Sequence, residues 1–240
     1  MSQLSPNFST DQLSQSVETT ANKFSLFLSR HWLTLANTFF FFYAGLPFLA
    51  PVLLANGHTG AANGIYWVYH NLCHLLPSRA YFVAGEQVCL CHRCLAIYAS
   101  IFLGGVAFSL VRHRLKPLPP IWFLLFAVPM GLDGGMGIAS ELLQFVPLLA
   151  LWVVGLLIVG LVGGLLYQQK YLNWQIAATL ACIPLALLYL TFVGPHQSNI
   201  YLRNITGFLF GIGFVWVAYP LLQEGFDDIE REASTKLGVN

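Results

Sequence analysis

Pro147–Gln168 reads PLLALWVVGLLIVGLVGGLLYQ and carries no charged residue. A membrane-spanning helix needs about 20 mostly apolar residues, and this stretch supplies them. It does not alternate polar with apolar positions, as a barrel strand would. Five further stretches read the same way, at 32–55, 93–111, 120–138, 172–193 and 200–222. Only helices and closed barrels satisfy the backbone in lipid. The fold class is therefore all-α: a polytopic membrane helix bundle of about six transmembrane helices. Composition agrees. The chain is 57% hydrophobic and 9% charged, with a mean hydropathy of +0.67, whereas a soluble domain carries about 25% charged residues. A formal net charge of +1 gives no basic field for nucleic acid. The lipid bilayer is the expected partner, and a protein partner or homo-oligomer is left open.

The organisation follows. Residues 1–30 are polar and rich in Ser, Thr, Gln and Asn, which predicts a disordered tail. Residues 31–222 form the bundle, including a Cys/His loop at 57–92. Residues 223–240 form an acidic, solvated tail. Pro47 and Pro51 predict that the first span kinks or ends early in its second half. The spacings Gly207-x3-Gly211 and Gly131-x3-Gly135 suit close helix packing. Lys23, Arg30, Arg112, Arg114, Lys116, Lys170, Arg231 and Lys236 fall on one side of six spans, against Arg79, Arg93 and Arg203 on the other. The bias predicts both termini in the cytoplasm and the Cys/His loop outside, in a bacterial plasma or internal membrane. Between the tails the acidic residues are Glu86, Asp133 and Glu141, all expected near the outer face.

The interval His70–Tyr98, HNLCHLLPSRAYFVAGEQVCLCHRCLAIY, holds four of the five cysteines. His70-x2-Cys73 is followed by Cys91-x2-Cys94. Two such pairs joined by a loop can set four ligands around one tetrahedral ion. The expected set is His70, Cys73, Cys91 and Cys94 holding zinc, with an iron–sulfur cluster as the alternative cofactor. Cys89 and His74 are alternative ligands or neighbours of the site, while His92 and Arg93 point away from the ion. Two other readings stand. The loop cysteines could form disulfides in an oxidising compartment, or Cys91 and Cys94 could be redox-active at a helix N-terminus. The histidine at metal-like spacing favours the ion, because a disulfide needs no imidazole.

The same residues resemble an uncharacterised prokaryotic membrane family, the domain of unknown function 2085. That family's pattern runs His-x2-Cys-His, then a polar Arg-Ser stretch, then Cys-x-Arg-Cys leading into a Gly-Ile-Tyr helix start. His70, Cys73, His74, Cys91, Arg93, Cys94, Ile97 and Tyr98 match. Ser78-Arg79 stands in reversed order, Ala96 replaces glycine, and Cys89 is additional. PMGLDG at Pro129–Gly134 resembles the family's Pro-x3-Asp-Gly element. SNIYLRNITGFLFG at Ser198–Gly211 resembles its Ser-Asn-x2-Leu-Arg-x2-Thr-Gly element, here separated from the former by the fourth and fifth spans. The resemblance implies a site and no reaction.

Asp133 is the other informative residue, since an ionisable group inside a span is a functional candidate. It is expected to meet Arg203 and, with Arg79, Arg93 and Asn199, to line a polar pocket under the loop. Three functions compete. The first is a binding or scaffold protein with a metal-ordered loop over that pocket. The second is a membrane thiol–disulfide or quinone-linked oxidoreductase using Cys91 and Cys94. The third is an ion pathway built on Asp133 and Arg203. No catalytic residue is assigned, and His196 reads as a loop residue that could join the pocket.

Overall fold

The structure, a computed structural model, describes residues 7–73, 76–112 and 114–239. His74 and His113 lie outside the described residues. In chain order come α1 (Asn7–Ala55), α2 (Thr59–His70), β1 (Ala80–Val83), β2 (Glu86–Cys91), α3 (His92–Val111), α4 (Phe123–Leu142), α5 (Leu148–Gln168), α6 (Trp174–Phe192) and α7 (Ile200–Leu237). Among the described residues six helices are long and apolar enough to cross a membrane, all but the short α2. The expected bundle of six spans is what the chain forms.

α7 is the central post, packed on α3, α1 and α4, while α5 packs on α6 and α6 on α4. Close packing of α7 on α3 depends on two glycines. A Cβ at Gly207 would lie 2.7 Å from the Arg93 carbonyl oxygen and 3.0 Å from the Ala96 Cβ. One at Gly211 would strike the Ser100 hydroxyl and approach the Ile97 carbonyl to 2.6 Å. Without lipid-excluded hydrophobic force between helices, such backbone proximity is what drives association. The other expected pair behaves differently: at Gly131 and Gly135 an added Cβ would meet nothing within 4 Å. Gly211→Ala should therefore lower stability by about 1–3 kcal/mol through overpacking. Gly131→Ala should lower nothing, and should gain up to about 1 kcal/mol of helix propensity. Thermal unfolding in detergent compares the two, and equal losses would show that the α3–α7 contact is not glycine-dependent.

Both chain ends differ from the expected tails. Asn7–Arg30 is helical and continuous with the first span, and α7 runs on to Leu237. The two extensions hold one another. Arg30 pairs with Glu230 at 2.8 Å, Trp32 stacks on Phe226 at 5.3 Å, and Ser29 and Ala233 are buried between them. A polar composition concealed this, because a narrow contact stripe suffices when a partner helix lies alongside. A cluster of Trp32, Leu33, Ile101, Phe108, Val215 and Tyr219 continues the same seam into the bundle.

The first span also runs as one helix through Pro47 and Pro51 to Ala55, where a kink or an early end was expected. Proline at 47 has no N–H for the carbonyl four residues back, that of Tyr43. The Tyr69 hydroxyl of α2 donates to that carbonyl at 2.7 Å. A tertiary donor thus replaces the missing helical one, and it ties α2 to α1.

The Cys/His loop carries two short strands that the sequence reading did not anticipate. β1 and β2 form an antiparallel hairpin with Val83 opposite Glu86 and Phe82 opposite Gln87. Its two turn residues, Ala84 and Gly85, have φ of 53° and 83°, as a type I′ turn demands. Beyond Phe82 the register breaks, and Ala80 comes to face Cys91. A bulge of this kind re-aims side chains, here at the point where Cys91 hands the chain to α3. Val88, Cys89 and Leu90 are all fully buried, so β2 is covered on both faces and shows no alternation.

Candidate functional site

Three of the four expected ligands come together. The sulfurs of Cys73, Cys91 and Cys94 lie within 4.8 Å of one another. Each is placed by a different local device. Cys73 follows the end of α2, where its backbone N–H bonds the Tyr69 carbonyl at 3.0 Å. Cys91 closes β2 and stands at the N-cap of α3, with φ of −70° and ψ of 159°. Cys94 lies in the first turn of α3, where its thiol hydrogen-bonds with both Cys73 and Cys91. The Cys91 backbone N–H donates to the Cys73 sulfur at 3.4 Å.

These features fit a metal ion. Zinc–sulfur bonds of about 2.3 Å in a tetrahedron set sulfurs about 3.8 Å apart. Sulfurs no more than 4.8 Å apart lie close to that spacing. His70 is exposed on the last turn of α2 and does not belong to the three-sulfur group. Cys89 is fully buried in β2, also outside the group. Cys182 sits in the middle of α6.

Burial pushes the Cys89 thiol up to about 11 from an ordinary value near 9. Tyr69 rises to about 12 and Tyr66 rises too, both through burial first. All three are acids that keep their protons in the folded chain while the unfolded chain releases them. Their contribution to stability should thus be fully present below pH 9 and fall as pH climbs from 9 towards 11. Denaturant melts across that range check the sign, and a rise in stability would contradict the burial of these groups. At pH 8 Cys89 should also resist alkylation until the protein is unfolded.

Beside the cysteines lies a second constellation centred on Asp133, halfway along α4. Its side chain is 3% exposed, so its carboxylate needs partners. Arg93, the second residue of α3, forms an ion pair with it. His196 Nε2 lies 2.9 Å from Oδ1, and the Ser198 hydroxyl donates to Oδ2 at 2.8 Å. Ser140 steadies the histidine by accepting the His196 backbone N–H at 2.7 Å. A Cβ at Gly134 would lie 3.0 Å from an Arg93 guanidinium nitrogen, so the glycine after Asp133 leaves room for the arginine.

The expected Asp133–Arg203 pair is therefore corrected: the arginine that meets Asp133 is Arg93. Arg93, inside the Cys91–Cys94 turn, carries its guanidinium to the Asp133 carboxylate. Arg203 remains within electrostatic reach of Asp133, Arg79, Arg93 and Cys91. Arg79 pairs with Glu141 of α4, which anchors the hairpin's approach to the bundle. Asn199 is exposed and caps α7, its side chain accepting the Leu202 N–H at 2.8 Å. His196, which the sequence left as a loop residue able to join the pocket, does join it; Ser198 and Ser140 were missed. The one available signal was that His196 and Ser198 share the loop entering the Ser-Asn element, at the same end as the cysteines.

A model of the family described as a predicted membrane protein, domain of unknown function 2085, matches residues 73–151. An uncharacterized protein of the archaeon Methanocaldococcus jannaschii is 30% identical over 114 residues, covering 45% of this chain and 72% of the relative. The chain belongs to this membrane-protein family. The match opens on Cys73 and spans Cys91, Cys94, Arg93 and Asp133, so the three sulfurs and the Arg93–Asp133 pair sit inside the family region, while His196 and Ser198 lie beyond it. It ends at residue 151, where the peripheral α5–α6 hairpin begins. No solved structure matches the chain.

Proposed function

We propose that this family member is a membrane scaffold protein that binds one zinc ion at Cys73, Cys91 and Cys94, with His70 completing the set. The ion orders the loop 57–92 over the polar pocket around Asp133, on the extracytoplasmic side of the membrane. The convergence of three sulfurs within 4.8 Å carries the reading. Soft sulfur donors in a tetrahedral set suit zinc, and the lysine and arginine distribution supports the orientation. His70 lies three residues before Cys73 on an exposed helix end, free to turn towards the sulfurs. When bound, the ion supplies a rigid crosslink between the end of α2 and the start of α3.

Elemental analysis of protein purified in detergent should find about one zinc per chain, and about none in Cys91→Ser. A metal-free, folded preparation overturns the reading. The oxidoreductase alternative uses the same thiols, because Cys94 hydrogen-bonds with Cys91. It requires Cys91 and Cys94 to cycle between thiol and disulfide. A membrane-impermeant maleimide applied to intact cells after chelation separates the two. Full labelling of both cysteines with and without prior oxidant supports the metal site and the outward orientation. Labelling lost after mild oxidant supports the redox pair.

A further inference from the structure

Three arginines gather at the cysteine end of the bundle, and two of them have carboxylates. Arg79 pairs with Glu141 and Arg93 with Asp133. Among the described residues Arg203 forms no ion pair, and its Nε is buried without a hydrogen-bond partner. Two more nitrogens in its electrostatic neighbourhood share that condition: His92 Nδ1 and Arg93 Nε. His92 is 7% exposed. Its ring packs edge-on against Tyr81 at 4.4 Å, and the Tyr81 hydroxyl accepts from the Asn204 amide at 2.7 Å.

The charge and the backbone point the same way. Arg93 and Arg203 stand in the first turns of α3 and α7, so two helix N-termini bring their partial positive charges to this place. Arg203 is half-buried, and its Nε, turned away from water, is left short of an acceptor. Acceptor oxygens carrying negative charge would satisfy it, and planar guanidinium donors match phosphate oxygens in pairs.

We propose that Arg203, with Arg93 and His92, forms a binding site for a phosphate group. The group is either free phosphate or the headgroup of an anionic lipid, since the site lies at the end of two spanning helices. The proposal rests on the reading above only for the pocket's place beside the metal loop. The arginines need no metal to hold an anion.

The test uses the full-length protein in neutral detergent, titrated with inorganic phosphate at constant ionic strength in sodium chloride. Wild type should bind saturably. Arg203→Gln should weaken binding about tenfold or more, the usual effect of losing a charge-assisted hydrogen bond. Lys116→Gln, at the far end of the bundle, should leave it unchanged. Arg203→Lys, which keeps the charge and protects against a folding artefact, should fall between. Vesicles of phosphatidylglycerol in phosphatidylcholine form the second arm. Displacement of phosphate by phosphatidylglycerol assigns the site to a lipid headgroup, and phosphate binding that persists assigns it to the free ion.

Absence of saturable binding in both arms overturns the proposal, as does binding unaltered in Arg203→Gln. If wild type binds no phosphate while Arg203→Gln loses zinc, the arginine serves only as counter-charge to the thiolates, and the proposal fails. Zinc content measured on the same samples judges the metal reading separately. Phosphate bound by a zinc-free chain would sink that reading and keep this one.

Discussion

Asp133→Asn should destabilise the bundle by about 3–5 kcal/mol, the usual cost of breaking a buried ion pair from one side. The asparagine keeps the shape and part of the hydrogen bonding to His196 and Ser198, but it leaves the Arg93 guanidinium without its counter-charge. Arg93 cannot retreat far, because it enters from the first turn of α3 and its backbone packs against Gly207. The cause can be separated from a general packing defect. If the stranded charge is responsible, adding Arg93→Met to Asp133→Leu should recover stability relative to Asp133→Leu alone, because a removed pair costs less than a broken one. Recovery should be partial, since His196 and Ser198 still lose an acceptor worth about 1 kcal/mol each. Unfolding in detergent gives all three values, and a double variant no better than the single one would remove the ion pair from the account.

The second large effect concerns the ion. Chelation of the purified protein should release the hairpin from α3, with amide exchange in β1 and β2 rising to that of an open loop. α5 and α6 should keep their protection, because they pack away from the loop. Binding to a structural zinc site is worth on the order of 10 kcal/mol. Against it stand the loop's own contacts: the buried cluster of Ala50, Tyr69, Cys89, Leu90 and Leu95 around Cys73, the Asn204–Tyr81 and Tyr66–Gln87 hydrogen bonds, and the exposed Arg79–Glu141 pair. Cys182→Ser, in α6, serves as the control and should behave as wild type. Exchange in the hairpin that ignores the chelator would show that hydrophobic packing alone orders the loop.

The spans were legible because lipid imposes one rule on every residue of a crossing helix, and that rule survives without knowledge of neighbours. The three sulfurs were legible for a related reason: x2 spacing fixes geometry over one short turn. Neither advantage extends to partners chosen across the bundle. Arg93 and Arg203 both begin helices, and nothing in one dimension says which of two similar cations Asp133 will meet. The choice is made by helix depth, with Gly134 opening a place for Arg93. His196 had no periodic signal, being a loop residue whose role exists only once α4 and the α6–α7 connection lie side by side. The helical chain ends were hidden for the opposite reason. Composition judged the N-terminal end as an isolated segment, whereas Ser29, Arg30 and Trp32 pack against α7 alongside.

The bond from the Tyr69 hydroxyl to the Tyr43 carbonyl makes positions 47 and 69 a single unit of variation. A leucine at 47 would reclaim the carbonyl for the helix ladder and strand the tyrosine oxygen. A phenylalanine at 69 would leave the proline gap open in an apolar surround. Sequence drift in this protein must move both positions together or neither. The first span's passage through Pro47 and the anchoring of the short helix before Cys73 are thus inherited as one trait.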